Sequence, residues 1–222
     1  MADARLTLRG ASAIVLGAAL AACGGAPPAP AVTLPPARPV AIVFPDDPRP
    51  LPRFHSARLA LSLPLPDGHA WRIDDHSQPE LVATHAPTRS RVLVAVLRAD
   101  ELVGRQGCET MAHERRLVPS VDLKVLEEEI GITQQTFDTR TLVAVDPGVG
   151  PYQPLVGHVL AFGGFLRKCF VFDFSTEVDG AANEAVLSSR LAYARARILG
   201  GLRLDAFDTV TRETPEKAPG GL

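Results

Sequence analysis

The stretch LVGHVLAFGGFLRKCFVFDFST, residues 155–176, decides the fold. Its two halves, Leu155–Phe162 and Arg167–Thr176, are rich in β-branched and aromatic residues, which favour strands. The pair Gly163-Gly164 lies between the halves and is typical of a tight turn. We therefore predict a β-hairpin with its turn at these two glycines.

The second strand of this hairpin is apolar on both sides. Alternate residues of a strand point to opposite faces of the sheet, so Phe170, Phe172 and Phe174 share one face. Cys169 and Val171 share the other face. A strand with apolar residues on both faces is buried on both faces. The sheet is therefore predicted to have helices on both of its faces.

Other segments show the composition and alternation of strands, bounded by turn residues. They are Ala57–Leu63, a strand that begins at Trp71, Glu80–His85, Arg91–Arg98 and Phe137–Val145. Val121–Ile132 is ambiguous, because apolar residues alternate at its start while Glu127-Glu128-Glu129 favours a helix. We favour a strand there.

Two segments have the apolar spacing of a helix instead. Gly107–Leu117 aligns Cys108, Met111, Ala112 and Arg115, and Asn183–Leu199 aligns Leu187, Leu191, Ala194 and Ile198. Runs of strands with two separated helices, and without strand–helix alternation, predict an α+β domain with a mainly antiparallel sheet.

The order of these elements and one short motif resemble a known family. The motif is Leu63-Pro64-Leu65-Pro66-Asp67-Gly68, which ends an early strand and is followed by Trp71. Together with a middle helix, a hairpin and a long final helix, it resembles the PsbP-like α/β/α sandwich over most of residues 53–206. The resemblance implies a non-enzymatic accessory or binding domain and brings no catalytic residues.

The amino terminus has the pattern of a bacterial lipoprotein signal. Two arginines precede Gly10–Ala22, an uncharged stretch of small and apolar residues that is too short to span a bilayer. The stretch ends in Leu20-Ala21-Ala22-Cys23, which resembles the lipobox. The resemblance implies that residues 1–22 are removed and that the thiol of Cys23 is acylated. The alternative is an ordinary secretory signal with an incidental Cys23.

The residue after Cys23 indicates the destination of the protein. It is Gly24, and not the aspartate that is associated with retention in the inner membrane of Gram-negative bacteria. We therefore predict a lipid-anchored protein of the cell envelope, on the outer membrane facing the periplasm.

The rest of the chain divides into three segments. Residues 23–52 hold half of the 20 prolines and are predicted to form an extended, unpacked tether. A proline-rich recognition ligand is the alternative role for this segment. Residues 53–206 are predicted to form the globular domain, and 207–222 a flexible tail.

Charge and composition exclude some classes of function. The chain has 23 basic and 25 acidic residues, a net charge of −2, so no global positive field exists to attract nucleic acid. We therefore predict no nucleic-acid partner.

The sequence contains no nucleophile elbow, phosphate-binding loop or paired-cysteine metal motif. We accordingly predict no catalytic residue, no cofactor and no metal. One cluster has side chains that suit zinc or copper, and it keeps a metal-binding domain open as an alternative. Its members are Asp67, His69, Asp74, Asp75, His76 and His85.

Two polar residues fall within the apolar hairpin. Asp173 stands between Phe172 and Phe174, and a buried carboxylate needs a partner. His158 or an arginine across the hairpin is the natural candidate, and we predict a structural pair rather than an active site.

The remaining cysteines, Cys108 and Cys169, are predicted to form a disulfide. An exported domain lies in an oxidising compartment, and Cys108 lies on the apolar stripe of the middle helix. If that helix covers the Cys169 face, the bridge joins helix to sheet. It would close a loop of about 60 residues and contribute about 4 kcal/mol in the chain-entropy model. The alternative is two unrelated buried thiols.

These observations predict a membrane-anchored lipoprotein with a non-catalytic accessory or binding domain. Its partners would be the membrane, through the lipid on Cys23, and an envelope protein or small ligand. A periplasmic metal-binding domain and an unrecognised enzyme are the alternatives.

Overall fold

The computed structural model describes Phe44 and residues 49–119, 122–132, 137–146 and 153–204. Cys23, the predicted signal sequence and the predicted tail 207–222 lie outside these residues. Within them, no helix is both long enough and apolar enough to cross a membrane.

The described residues form strands, two α-helices and short 3-10 segments. In chain order the strands and helices are β1 (Arg53–Ser56), β2 (Leu61–Pro64), β3 (Trp71–Asp74), β4 (Leu81–His85), β5 (Ser90–Arg98), α1 (Arg105–Glu114), β6 (Lys124–Ile132), β7 (Asp138–Asp146), β8 (Leu155–Phe165), β9 (Lys168–Val178), α2 (Glu184–Tyr193) and β10 (Arg203–Leu204). A π-helix over Ala194–Leu199 continues α2. The predicted final helix, Asn183–Leu199, is therefore confirmed as one continuous helical segment.

The main sheet has seven strands in the order β3-β4-β5-β9-β8-β7-β6, and every neighbouring pair is antiparallel. β1, β2 and β10 form a second, small antiparallel sheet. The prediction of a mainly antiparallel sheet is confirmed. β8 and β9 are its longest strands and lie near its middle, as expected for the hairpin with the most apolar sequence.

The turn of that hairpin lies at a different place from the predicted one. Leu166 and Arg167 form the turn, and Leu166 has a φ of 53°. Gly163 and Gly164 instead continue β8. A Cβ on Gly164 would lie 2.5 Å from the carbonyl oxygen of Val103. The prediction was wrong because this glycine allows the chain before α1 to approach the strand, rather than forming a turn.

The row Phe170, Phe172 and Phe174 of β9 belongs to the larger apolar cluster of the domain. Leu187 and Leu191 of α2 belong to the same cluster, so this side of the sheet packs against the final helix. Burial of this helix stripe stabilises Asn183–Leu199 as a helix, since tertiary packing supplies most helix stability.

Cys169 and Val171, on the opposite side of β9, belong to a second apolar cluster. Cys108 and Ala112 of α1 belong to it as well. Cys108 and Cys169 are joined by a disulfide, with their Cα atoms 5.3 Å apart and both residues fully buried. α1 itself begins at Arg105 and ends at Glu114, a shorter and earlier span than the predicted Gly107–Leu117.

The ambiguous segment Val121–Ile132 contains a strand, β6, at one edge of the main sheet. Its glutamates lie on a strand that pairs with β7, and each contacts an arginine of another element. Arg195 contacts Glu127 and Glu129, and the Nε of Arg140 donates to Glu128 at 2.9 Å. The strand interpretation is confirmed.

The first predicted strand, Ala57–Leu63, is only partly correct. Residues 57–60 form a turn between β1 and β2, and Ala60 has a φ of 48°. β2 begins at Leu61. The weak alternation over this segment came from a turn and a strand that follow each other.

Phe44 lies within the predicted tether but is buried in the larger apolar cluster. Its ring centre lies 5.2 Å from that of Tyr193, 5.6 Å from His85 and 6.4 Å from Trp71. The prediction of an unpacked segment up to residue 52 does not hold at Phe44. Proline-rich composition reports local stiffness, whereas the burial of this ring depends on distant residues.

Candidate functional site

The residues of the possible metal cluster have separate structural roles. Asp75 is buried, accepts a hydrogen bond from the Ser56 hydroxyl at 3.0 Å, and pairs with Arg58. His69 and His76 are exposed. Within the described ranges, no three histidine, cysteine or acidic side chains stand close enough to hold a metal ion.

Asp74 stabilises the turn after β3. Its carboxylate accepts a hydrogen bond from the Ser77 hydroxyl and bonds from the backbone N–H groups of Ser77 and His76, the latter at 3.1 Å. These donors favour the ionised form and lower the pKa of Asp74 to about 2, with the Ser77 hydroxyl as the largest cause. Asp74 is therefore a turn residue that is already saturated with donors.

His85 begins a buried chain of hydroxyl groups. Its Nδ1 lies 2.7 Å from the Thr88 hydroxyl, which lies 2.7 Å from the hydroxyl of Ser90. Ser90 donates in turn to Thr176 at 2.9 Å. Arg190 closes the network from α2, donating to the Thr88 carbonyl at 2.9 Å. The network ties the end of β4 to β5, β9 and the final helix.

The environment of His85 disfavours its charged form. Burial lowers the pKa of its imidazole, and the Arg190 guanidinium acts in the same direction. The Asp67 carboxylate, 3.9 Å from Nε2, opposes this change. His85 Nε2 is buried without a hydrogen-bond partner among the described residues. The ring, which lies close to Phe44 and Trp71, therefore favours its neutral form.

The second buried polar group is the predicted pair of His158 and Asp173. Nδ1 of His158 lies 3.0 Å from Oδ1 of Asp173, and both residues are more than nine-tenths buried. This contact orients the ring through Nδ1 and leaves Nε2 for another interaction. His158 is therefore the partner of Asp173, and no arginine takes that place among the described residues.

Sequence reasoning missed the network of Thr88, Ser90, Thr176 and Arg190. One signal was present, because Arg190 lies three residues after Leu187 and four before Ala194, on the apolar stripe of the helix. A charged residue on a buried stripe needs internal partners. Cys23, the predicted lipidation site, lies outside the described residues.

Several solved structures are similar to the chain. The Ran-binding protein Mog1p of Saccharomyces cerevisiae has a TM-score of 0.51 at 9% identity, over 69% of this chain and 95% of Mog1p. Cyanobacterial PsbP (CyanoP) from Synechocystis has a TM-score of 0.44 at 11% identity, over 70% of this chain and 92% of its own. LpqN of Mycobacterium tuberculosis, described as involved in cell envelope biogenesis, has a TM-score of 0.42 at 12% identity, over 68% of this chain and 88% of LpqN.

The similarity to Mog1p shows a shared fold and nothing beyond the fold. No family model matches the chain, and no curated protein sequence matches it.

Proposed function

We propose that this chain is an envelope lipoprotein, anchored through acyl chains on Cys23, whose folded domain is a non-catalytic accessory or binding domain. The observation that carries the proposal is the disulfide between Cys108 and Cys169. Disulfides persist in oxidising compartments outside the cytosol. With these two residues joined, Cys23 is the third and last cysteine of the sequence, at the end of the lipobox-like tetrapeptide.

The proposal includes a three-layer domain with helices on both faces of the main sheet. The shared cluster of α1 with Cys169 and Val171, and that of α2 with Phe172 and Phe174, support it. Mog1p, which has the same fold, is described as a Ran-binding protein, so the architecture is compatible with protein binding.

The proposal also includes a location on the outer membrane facing the periplasm. Gly24 after the lipidated cysteine supports this destination. Several acyl chains would hold the protein firmly, because each buried methylene contributes about 0.8 kcal/mol.

Fractionation of cells that express the chain tests the anchor. The wild-type protein should enter the membrane fraction, and globomycin, which blocks lipoprotein signal cleavage, should leave an unprocessed precursor. Cys23→Ala should abolish acylation and membrane retention. Gly24→Asp is the matched control, because it keeps the anchor and should move the protein to the inner membrane. A Cys23→Ala protein that is processed normally and distributes between the membrane and soluble fractions as the wild type does would contradict the proposal.

Crosslinking in native membranes, followed by mass spectrometry, tests the binding role. A specific envelope protein that is recovered with the wild-type chain, and lost when Cys23→Ala removes it from the membrane surface, is the expected result. Recovery of no specific partner from intact membranes would count against a protein-binding role.

A further inference from the structure

Three polar side chains lie in one row across the main sheet. Arg91 of β5 is the register partner of Ser175 of β9, and Ser175 is the register partner of His158 of β8. Directly opposite residues of antiparallel strands have Cβ atoms about 5 Å apart and point to the same face. The three side chains therefore leave the sheet next to one another, on the face to which Cys169 and Val171 also point.

This row lies at the boundary of the covered part of that face. The next row towards α1 contains Leu93 and Leu160, which are buried in the second apolar cluster together with Leu117 and Val118. Arg91 and Ser175, by contrast, are only half-buried. The row combines partial shielding from water with access from outside.

Arg91 is exceptional among the arginines. The other arginines of the described ranges that are at least half-buried all donate to an oxygen atom of the protein: Arg105, Arg140, Arg190, Arg195 and Arg197. Arg91 has no such acceptor among the described residues. A guanidinium that is partly shielded from water and has no acceptor within the protein is suited to bind the acceptor atoms of a ligand.

The other two members also have unused hydrogen-bonding capacity. Asp173 fixes Nδ1 of His158 at 3.0 Å, while Nε2 makes no hydrogen bond to a described residue. The hydroxyl of Ser175 likewise makes none within these ranges. The His158 ring is more than nine-tenths buried, so its orientation is fixed before any ligand arrives.

We propose that Arg91, Ser175 and His158 form a binding site for an oxyanion, the carboxylate or phosphate group of a ligand. The guanidinium offers two parallel N–H donors and the hydroxyl offers a third. His158 stands beside Ser175 in the same row, and the Asp173 carboxylate holds its ring in place. The site supplies a ligand class for the binding role proposed above.

Acidic groups on the same face limit where an anion can bind at this site. Glu177 lies one row away and is neutralised by Arg89, whose Nη1 lies 2.8 Å from its Oε1. Asp146 lies at the end of β7 in the same row as Glu177. Asp173 is engaged with His158. An anion that binds Arg91 must therefore lie close to Ser175, away from Asp146.

Nuclear magnetic resonance of the His158 ring tests the site on the full chain carrying Cys23→Ala, which removes the acyl chains. Inorganic phosphate and acetate are the two probes and distinguish the two sources of an oxyanion. At least one should shift the His158 resonances in a saturable way. Arg91→Gln should weaken this binding at least about tenfold.

Arg98→Gln is the matched control, since Arg98 is exposed at the end of the same strand. It should leave anion binding unchanged. No saturable response to either probe up to about 50 mM, or an equal response in Arg91→Gln, would overturn the proposal. The measurement needs neither the anchor nor a partner protein. Its failure would leave the lipoprotein proposal intact, and the fractionation result does not bear on this site.

Discussion

Gly164 shows how a single missing side chain determines the position of a helix. A Cβ there would lie 2.5 Å from the carbonyl oxygen of Val103 and 2.7 Å from the Cα of Gly104, the residue before α1. Both are backbone atoms, which cannot move aside as a side-chain end can. The close approach of the loop to β8 therefore requires glycine at this position.

We predict that Gly164→Ala lowers the free energy of unfolding by about 1–3 kcal/mol, as overpacking of a core does. Gly131→Ala is the control, because a Cβ at Gly131, on the edge strand, meets no atom within 4 Å. Urea unfolding of the two variants measures the difference. Equal stabilities would mean that the loop before α1 adjusts without cost.

The buried His85 makes the free energy of unfolding depend on pH. Burial lowers its folded-state pKa below the ordinary value of 6.5, so the unfolded chain binds this proton more readily. The contribution of neutral His85 is fully present above about pH 6.5 and is lost as the pH falls from there towards the folded-state pKa. The free energy of unfolding should therefore decrease on acidification.

His85→Gln should reduce this decrease, because glutamine does not titrate. Urea unfolding at about pH 7.5 and about pH 5.5 gives the loss of unfolding free energy on acidification for each protein, and the loss should be smaller for His85→Gln than for the wild type. His69→Gln, at an exposed histidine nearby, should keep the wild-type loss. The prediction fails if His85→Gln and the wild type lose stability equally.

At the scale of elements, the disulfide joins α1 to β9 across a sequence separation of 61 residues. Chain entropy predicts that its removal costs about 4 kcal/mol, because the unfolded chain gains the freedom that the closed loop removed. The double variant Cys108→Ala/Cys169→Ala keeps both positions small and apolar, and urea unfolding should show this loss.

Cys23→Ala is the control and should unfold as the wild-type domain does, since it leaves the bridge in place. Wild-type protein in excess dithiothreitol should approach the stability of the double variant. If it unfolds at the same urea concentration with and without reductant, the bridge does not constrain the native chain.

The elements that the sequence predicts well are those whose pattern is local. Alternation in β9 and the helical stripe of α2 each reflect one face of one element, and both are observed where predicted. Gly163-Gly164 misled because a glycine pair suits a turn and a close approach equally well. Ala57–Leu63 misled because a turn and a short strand together imitated one longer strand.

The candidate sites were only partly predictable for the same reason. The pairing of His158 with Asp173 follows from two polar residues in one apolar hairpin. The row of Arg91, Ser175 and His158 does not, because it depends on the register of three strands that are distant in sequence. The register between β5 and β9 is fixed only when the sheet forms.

At the scale of the whole molecule, Phe44 belongs to the core although it precedes the predicted domain. Phe44→Ala should lower the free energy of unfolding by about 3–5 kcal/mol, the usual cost of truncating a buried phenylalanine. Phe44→Leu, which keeps most of the apolar volume, should cost less. Thermal and urea unfolding measure both variants. Unchanged stability of Phe44→Ala would mean that its ring contributes nothing to the core.

The burial of Phe44 would also have a mechanical consequence in a chain held at Cys23, as proposed above. Phe44 precedes β1 in the sequence, so a pulling force from the amino-terminal side would reach Phe44 first. An edge strand such as β1 can be peeled away one hydrogen bond at a time, so it resists tension poorly. A buried ring in contact with Tyr193 and Trp71 must instead be extracted in one step. Phe44 would therefore pass such a force to the helix of Tyr193 and the strand of Trp71 before it reached the four-residue β1.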